Sequence, residues 1–183
     1  MRVDKNIKEN EKGLGSENMT KRQVFFSFEY LKDGWRAGQI RNMGKVSNES
    51  TFSDNDWEEV KHKSDEKIRE WIDSQLKMRS CLVVLIGSTT ASRKWVRYEI
   101  QKAYEMNKGI VGIYIHKLKD AKGHQGVRGA NPFNYMYTYD GKLLSNYVRC
   151  YDSKYLTSQV VYSDIFANIE KLIEEAISVG GTY

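Results

Sequence analysis

The fold class is decided by the stretch Cys81-Leu-Val-Val-Leu-Ile-Gly-Ser-Thr-Thr-Ala-Ser-Arg-Lys-Trp-Val-Arg-Tyr-Glu-Ile100. Its first six residues form an apolar run closed by Gly87, which is typical of a buried β-strand. Small polar residues then supply a turn and helix N-caps, and Val96 and Ile100 begin an apolar stripe at helical spacing. The stretch therefore predicts a strand, a turn and an amphipathic helix.

Other segments continue this alternation of strands and helices. Strands are predicted at residues 23–30, 108–115 and 147–151, and apolar residues at helical spacing predict a closing helix over 166–177. Strands that alternate with helices favour a parallel sheet. We therefore predict an α/β fold with a central, mostly parallel sheet flanked by helices.

The connections are less regular. Residues 33–41 are predicted to form a short helix with Asp33 as its N-cap, and the polar connection 43–56 holds a candidate short strand near Val46. Helical material is predicted over residues 57–76, as one helix or two.

Composition indicates one folded domain. The chain has 183 residues, of which 40% are hydrophobic, and this is enough for a sizeable core. Residues 1–20 are polar and lack apolar periodicity, so we predict a mobile tail followed by a single domain over 21–183. Without a signal peptide or a membrane-length apolar run, we expect a cytoplasmic protein whose two cysteines, Cys81 and Cys150, are reduced.

Charge and motifs exclude several functions. The net charge is +5, but 29 Lys and Arg residues are interleaved with 24 Asp and Glu residues, and no nucleic-acid-binding motif is present. We therefore predict no nucleic-acid partner. The excess of positive charge suits a small phosphate-bearing ligand. His62, His116 and His124 lack metal-ligand spacing, so no metal is predicted. The common glycine signatures of hydride transfer and NTP hydrolysis are also absent.

Glu99 and Trp95 are the first candidates for chemistry. They lie one helical turn apart, just past the carboxyl end of a predicted buried strand, where open α/β sheets place ligand sites. Helix geometry alone leaves open that Glu99 is a solvated boundary residue paired with Lys102 and that Trp95 only packs.

The chain resembles the Toll/interleukin-1 receptor (TIR) superfamily over roughly residues 21–178. Residues 24–28 look like the first TIR strand, and residues 80–99 look like the strand, Ser/Thr-rich turn and helix that carry the catalytic glutamate of NAD-cleaving TIR domains. In those enzymes a tryptophan commonly lies four residues before the glutamate, as Trp95 does before Glu99. Further segments match the branch found in the Thoeris antiphage-defence system, namely residues 22–42, 114–120 and 131–133.

This resemblance implies a flavodoxin-like fold and an enzyme that cleaves the nicotinamide–ribose bond of NAD with Glu99 as the catalytic residue. NAD is then a substrate, and no cofactor is expected. The product is expected to be a cyclic ADP-ribose-type second messenger that activates a separate effector protein after a phage-derived trigger. The sequence leaves open whether the chain forms a homo-oligomer, and no membrane partner is expected.

Further substrate contacts are expected on the strand-end loops. Arg36 or Arg41 would pair with the pyrophosphate. The aromatic strand end at Phe26, together with the long irregular segment 117–146, would enclose the dinucleotide. The expected substrate-binding residues are Trp95, Ser27, Phe28, Asp33, Arg36, Ser88 and Thr89.

Two other classes of function stay open at this point. Many TIR domains act only as interaction scaffolds, in which case Glu99 would be structural. A flavodoxin-like receiver or a base-exchanging deoxyribosyl transferase would share the fold. A receiver needs acidic residues clustered at the strand ends, and Glu29 and Asp33 alone make a poor cluster.

Overall fold

A parallel sheet lies at the centre of the computed structural model, which describes residues 21–47 and 60–183. The strands of these residues are β1 (Val24–Ser27), β2 (Cys81–Ile86), β3 (Gly109–Tyr114) and β4 (Cys150–Tyr151). They lie in the order β1-β2-β3-β4, and each neighbouring pair is parallel. The predicted parallel sheet is confirmed, and β2 has the bounds that its apolar run predicts.

Helices cover both faces of this sheet. The helices of the described residues are α1 (Tyr30–Arg41), α2 (Asp65–Lys77), α3 (Lys94–Glu105) and α4 (Ser158–Val179). Apolar residues of α1 and α4 pack against one face of the sheet, and those of α2 and α3 pack against the other. This two-sided arrangement confirms the predicted flavodoxin-like α/β fold.

Strand β2 supplies both halves of the core. Its side chains alternate between the two faces because successive residues of a strand point in opposite directions. Val83 and Leu85 pack with α1 and α4, whereas Leu82 and Val84 pack with α2 and α3. Every residue of β2 is buried, which is why its sequence is continuously apolar rather than alternating.

Helix α4 crosses β3 at close range. A β-carbon built on Gly109 would lie 2.7 Å from the main-chain carbonyl carbon of Ala176 in α4. Only a residue without a side chain allows this approach of helix to strand. The apolar stripe that predicts the closing helix is confirmed, and the helix extends beyond it at both ends.

Three details of the sequence predictions are corrected. Helix α1 begins at Tyr30, because the carbonyl of Glu29 already accepts the amide of Asp33 at 2.9 Å. Asp33 is therefore a buried first-turn residue and not the N-cap. No strand occurs within residues 43–47, where Val46 is buried in a bend. Strand β4 is two residues long instead of the predicted five. The predictions for residues 1–20 and 48–59 lie outside the described residues.

Residues 117–146 form the predicted irregular segment. They contain two single 3₁₀ turns, Pro132–Tyr135 and Leu144–Asn146. The guanidinium of Arg36 in α1 ties down the start of the segment by donating to the carbonyls of Leu118 at 2.8 Å and His124 at 2.9 Å. The backbone of this segment is thus held to α1 by a buried cation.

Two smaller observations bear on the class of protein. Cys81 and Cys150 are both free thiols, as the sequence predicts. Within residues 21–47 and 60–183, no helix combines the length and apolar character needed to cross a membrane.

Candidate active site

A cavity of about 370 Å³ opens past the carboxyl ends of β1 and β2. This volume lies within the range of small-molecule sites. One wall comes from the end of β1 and the start of α1, and the other comes from the first half of α3. The lining residues are Phe26, Phe28, Glu29, Tyr30, Leu31, Lys61, Arg93, Lys94, Trp95, Val96 and Glu99.

Glu99 presents a desolvated carboxyl group to this cavity. The residue is only 6% exposed, and its Oε2 accepts a hydrogen bond from the hydroxyl of Ser27 at the end of β1. Burial raises the pKa of Glu99 to about 8 from its ordinary value of 4.5, against the lowering effect of the Ser27 hydrogen bond. At pH 7 about one molecule in ten then carries the ionised form.

Trp95 stands one helical turn before Glu99 and lines the same cavity. The ammonium of Lys94 lies 4.6 Å from the centre of its indole ring, and Tyr98 packs edge-on against the ring at 6.1 Å. The indole is half-buried, so one part of it stays accessible to a ligand. The structure therefore brings together the two residues that the sequence singled out.

Glu29 is a second buried carboxylate in the cavity wall, and sequence reasoning did not select it as a site residue. It is 6% exposed, pairs with the guanidinium of Arg93 and accepts a hydrogen bond from the hydroxyl of Thr89. Glu29 is the residue before α1, two positions past the end of β1, and Arg93 is the residue before α3. Those positions at strand and helix ends are the only sequence signal that could have selected them.

The remaining predicted substrate contacts divide between two locations. Phe28 lines the cavity, with the guanidinium of Arg41 5.9 Å from its ring centre. Ser88 is exposed and does not line the cavity. Thr89 does not line it either, but its hydroxyl group donates a hydrogen bond to Glu29 in the cavity wall. Ser27 contacts the site by donating a hydrogen bond to Glu99.

Asp33 and Arg36 form a buried ion pair outside the cavity lining. Their side chains are 2% and 8% exposed, and Arg36 Nη1 lies 3.0 Å from the Asp33 carboxylate. The Asp33 carboxylate packs directly against Gly87 at the end of β2. Since Arg36 also binds the carbonyls of the 117–146 segment, this pair fixes the loops behind the site. In this structure neither residue lines the cavity, and their predicted contact with substrate stays a prediction.

The enclosure of the dinucleotide by residues 117–146 stays a prediction, because these residues do not line the cavity in this structure. The cavity lining found within residues 21–47 and 60–183 includes none of them. The ring of Tyr139 in this segment lies 5.1 Å from that of Tyr104 in α3, and Gly129 packs against the main chain of Gly87 just past the end of β2. The predicted aromatic wall at Phe26 and Phe28 does line the cavity.

The cations of the cavity wall are held in ion pairs. Of the three that line it, namely Lys61, Arg93 and Lys94, Arg93 pairs with Glu29 and Lys94 pairs with Asp65. Among the described residues, no group of three His, Cys, Asp or Glu side chains is placed to hold a metal. A receiver-like acidic centre is therefore not formed by these residues.

The two-sided sheet and its cavity at the carboxyl ends of adjacent strands define a flavodoxin-like α/β domain with a ligand site where such sheets place one. A family model described as the TIR-like domain of Thoeris protein ThsB matches residues 25–120. A relative from Bacillus cereus (strain MSX-D12) is 40% identical over 134 residues, which cover 69% of this chain and 70% of the relative. The chain therefore belongs to the ThsB TIR-like family of the Thoeris system. The name of the relative describes it as a proposed cyclic ADP-D-ribose synthase, ThsB1.

Proposed function

We propose that this protein is an antiphage-defence enzyme that cleaves NAD at the nicotinamide–ribose bond and forms a cyclic ADP-ribose-type product. The observation that carries the proposal is the desolvated carboxyl group of Glu99, held in a cavity by Ser27 with Trp95 one turn away. Membership of the ThsB family and the name of the Bacillus cereus relative support the choice of substrate and product.

A single carboxylate suffices for this cleavage because of the leaving group. Nicotinamide in NAD is a cationic pyridinium, and the electron pair of the broken C–N bond makes it a neutral base. It needs no proton, whereas ordinary glycosidases must protonate a poor leaving group with a second carboxyl group. What remains is to stabilise the positive charge that develops on the ribose, and in our proposal Glu99 does this.

Substrate binding would also ionise Glu99. The free site holds this carboxyl group largely protonated because burial penalises its charge. A pyridinium ring against the carboxyl group offers an opposite charge at short range, which lowers a carboxyl pKa. The anion would therefore form when the cation enters, and Trp95 would support the ring by a cation–π contact.

Cyclisation follows if the ribosyl cation is trapped by a hydroxyl group of the same molecule. The hydroxyl oxygen bonds to the anomeric carbon, and its proton passes to the Glu99 carboxylate and then to solvent. NAD thus gives nicotinamide, the cyclic product and one proton. A tethered hydroxyl group reaches effective molarities far above the roughly 55 M of liquid water, provided that the site folds the dinucleotide.

The geometry also weighs against a purely structural role for Glu99. A carboxyl group that only packed in the core would lose hydration for one hydrogen bond, and burying a charge is costly without a full set of partners. The pKa of Glu99 is raised because burial makes the ionised form unfavourable. Such a cost is typical of functional sites, and it favours the enzyme over the interaction scaffold.

The proposal extends to signalling. A cyclic product would activate a separate effector protein, and a phage-derived trigger would start its synthesis. We accordingly expect turnover to rise on infection.

The test measures nicotinamide and nucleotide products by mass spectrometry, with purified protein and NAD and with phage-infected cells that express the chain. We expect a product one water lighter than ADP-ribose. Glu99→Gln should lower turnover about 100–1,000-fold, whereas Glu105→Gln, an exposed change on the same helix, should stay within about twofold of wild type. A folded Glu99→Gln protein that retains more than a tenth of wild-type turnover would refute the catalytic assignment. Linear ADP-ribose alone would leave only NAD hydrolysis.

A further inference from the structure

The side chain of Arg36 joins α1 to the loop that follows β3. It is 8% exposed, and its Nε and Nη2 donate to the main-chain carbonyls of Leu118 and His124 at 2.8 and 2.9 Å. Nη2 also lies 3.5 Å from the carboxylate of Asp120, and Nη1 donates to that of Asp33 at 3.0 Å. All three nitrogens of the planar fork are therefore engaged, in directions that the single nitrogen of a lysine cannot reproduce.

The loop over residues 117–131 depends on these contacts. Residues 121–128 are all exposed, and of its large apolar side chains Leu118 is buried whereas Val127 is 76% exposed. A loop with so little buried apolar surface is held chiefly by hydrogen bonds, and such segments open locally at a low cost in free energy. Loss of the guanidinium should therefore release the loop without unfolding the domain.

Asp33 connects the same ion pair to the end of β2. Its side chain is 2% exposed, and its Oδ2 would lie 1.9 Å from a β-carbon built on Gly87. This oxygen has no hydrogen-bond partner among the described residues. Burial raises the pKa of Asp33 in spite of its pair with Arg36, so the pair recovers only part of the desolvation cost. We therefore expect the pair to fix position more than to stabilise the fold.

The loop also packs against Gly87. A β-carbon built on Gly129 would lie 2.0 Å from the carbonyl oxygen of Gly87, so the two main chains are in contact. The amide of Gly87 donates to the hydroxyl of the buried Thr90 at 2.9 Å, and α3 begins at Lys94. Gly87 thus contacts both Asp33 and the loop at the start of the turn that leads into α3.

We infer that Asp33 and Arg36 form a clasp that holds the 117–131 loop on the end of β2 and so sets where α3 begins. Both are then positioning residues for Glu99, which lies on α3 and is 6% exposed, and neither needs to touch substrate. That Glu99 is catalytic rests on the proposed function, whereas the effect of the clasp on the burial of Glu99 does not.

The first test is limited trypsin digestion of the full chain, followed by mass spectrometry. Lys119, Lys122 and Arg128 are exposed cleavage sites within the loop. Arg36→Lys keeps the charge but loses the fork. Cleavage within the loop should then be about tenfold faster than in wild type, because hydrogen bonds to charged groups have this magnitude and cleavage follows local opening. Glu70→Gln is the matched control, since it breaks an ion pair of the same i,i+3 spacing whose side chains are 63% and 64% exposed. It should stay within about twofold of wild type.

The second test measures the burial of Glu99, which the loosening of a merely structural loop would not change. The melting temperature of each protein is compared with that of its Glu99→Gln derivative from about pH 5 to pH 8.5. In wild type this difference should grow with pH, because burial raises the pKa of Glu99 to about 8. In Arg36→Lys it should fall to about half or less, because a displaced α3 hydrates Glu99 and returns its pKa toward the ordinary value.

Two further variants keep the result interpretable. Gly129→Ala changes no charge, but its β-carbon would displace Gly87, so it should reduce the Glu99-dependent difference in the same way. Asp33→Asn removes the charge of the pair with almost no change in shape, and cleavage within the loop should rise about threefold. Asp33→Asn decides the first test if Arg36→Lys fails to fold.

The inference is overturned if folded Arg36→Lys and Asp33→Asn are cleaved as Glu70→Gln is, or if the Glu99-dependent difference in Arg36→Lys and Gly129→Ala equals that of wild type. Where NAD is turned over, Arg36→Lys should lower kcat and leave KM within about twofold of wild type. A raised KM with an uncleaved loop would make Arg36 a substrate contact and would also overturn the inference. These outcomes are distinct from failure of the proposed function. Nicotinamide release that depends on Glu99 can persist without the clasp, and the clasp can hold in a protein that releases no nicotinamide.

Discussion

Replacing Glu99 by Gln should change how the stability of the protein depends on pH. The folded state raises the pKa of this carboxyl group to about 8, whereas the unfolded chain restores its ordinary value of 4.5. Below pH 4.5 both states are protonated. As the pH rises from 4.5 to 8, the unfolded state ionises while the folded state keeps its proton, so wild-type stability falls across this window. Gln has no proton to lose, and its amide oxygen can still accept from Ser27.

The size of the effect follows from the shift. Each pKa unit corresponds to 1.36 kcal/mol, and most of the interval between the two pKa values is crossed by pH 8. Wild type should therefore lose about 3–4 kcal/mol relative to Glu99→Gln between pH 5 and pH 8. For a domain of this size, that corresponds to about 6–16 °C in melting temperature. The variant should be the more stable protein at alkaline pH, although we expect it to be the less active one.

The assay is thermal unfolding of wild type, Glu99→Gln and Glu105→Gln by circular dichroism at several pH values from 5 to 8.5. The Glu105 variant removes an exposed carboxylate from the same helix and should follow the wild-type profile. The difference between wild type and Glu99→Gln should grow steadily with pH. Parallel profiles for these two proteins would refute the desolvated carboxyl group on which the site rests.

Three further predictions address the neighbouring structure. Ser27→Ala removes the hydrogen bond that lowers the Glu99 pKa, so the pH–rate profile should move to higher pH and turnover at pH 7 should fall about tenfold. Gly109→Ala places a β-carbon against the main chain of α4 and should destabilise the fold by about 1–3 kcal/mol in urea titrations. Gly38→Ala, whose β-carbon meets no atom within 4 Å in the described structure, should not. Removal of residues 1–20 should leave the melting temperature within about 2 °C, and a larger drop would mean that this segment packs on the domain.

The position of Trp95 and Glu99 in the cavity wall could be predicted from the sequence because it depends on local order. The apolar run of β2 fixes where the strand ends, and helical spacing then places Trp95 and Glu99 on one side of α3. Neither step needs knowledge of distant contacts. The position of Ser27 at the end of the neighbouring strand was also accessible, since parallel strands bring their carboxyl ends to one edge.

The residues Asp33 and Arg36 show where such reasoning ends. Both residues follow β1, so the sequence places them near the cavity, but the direction of their side chains depends on where α1 begins. Helix α1 starts at Tyr30, and the two side chains form a buried ion pair that Arg36 extends to the 117–146 segment. A contact with residues more than 80 positions away has no local signature, so its structural role could not be read from the sequence.

Glu29 and Arg93 were missed for a related reason. A charged residue at a strand or helix end is ordinarily solvated, and only the approach of the two loops buries Glu29 against Arg93. Because Glu29 is buried, its ion pair with Arg93 has a fixed orientation in the cavity wall. The sequence contains the two residues but not the distance between their loops.

In the reaction that we propose, bond cleavage would change the electrostatics at Glu99. The pyridinium ring of the substrate carries a positive charge, and nicotinamide becomes neutral when the bond breaks. The attraction between Glu99 and the departing base would then be lost, whereas the attraction between Glu99 and the positive charge that develops on the ribose would remain. We therefore expect the base to leave first, while the ribosyl fragment stays against Glu99 until a hydroxyl group of the same molecule attacks.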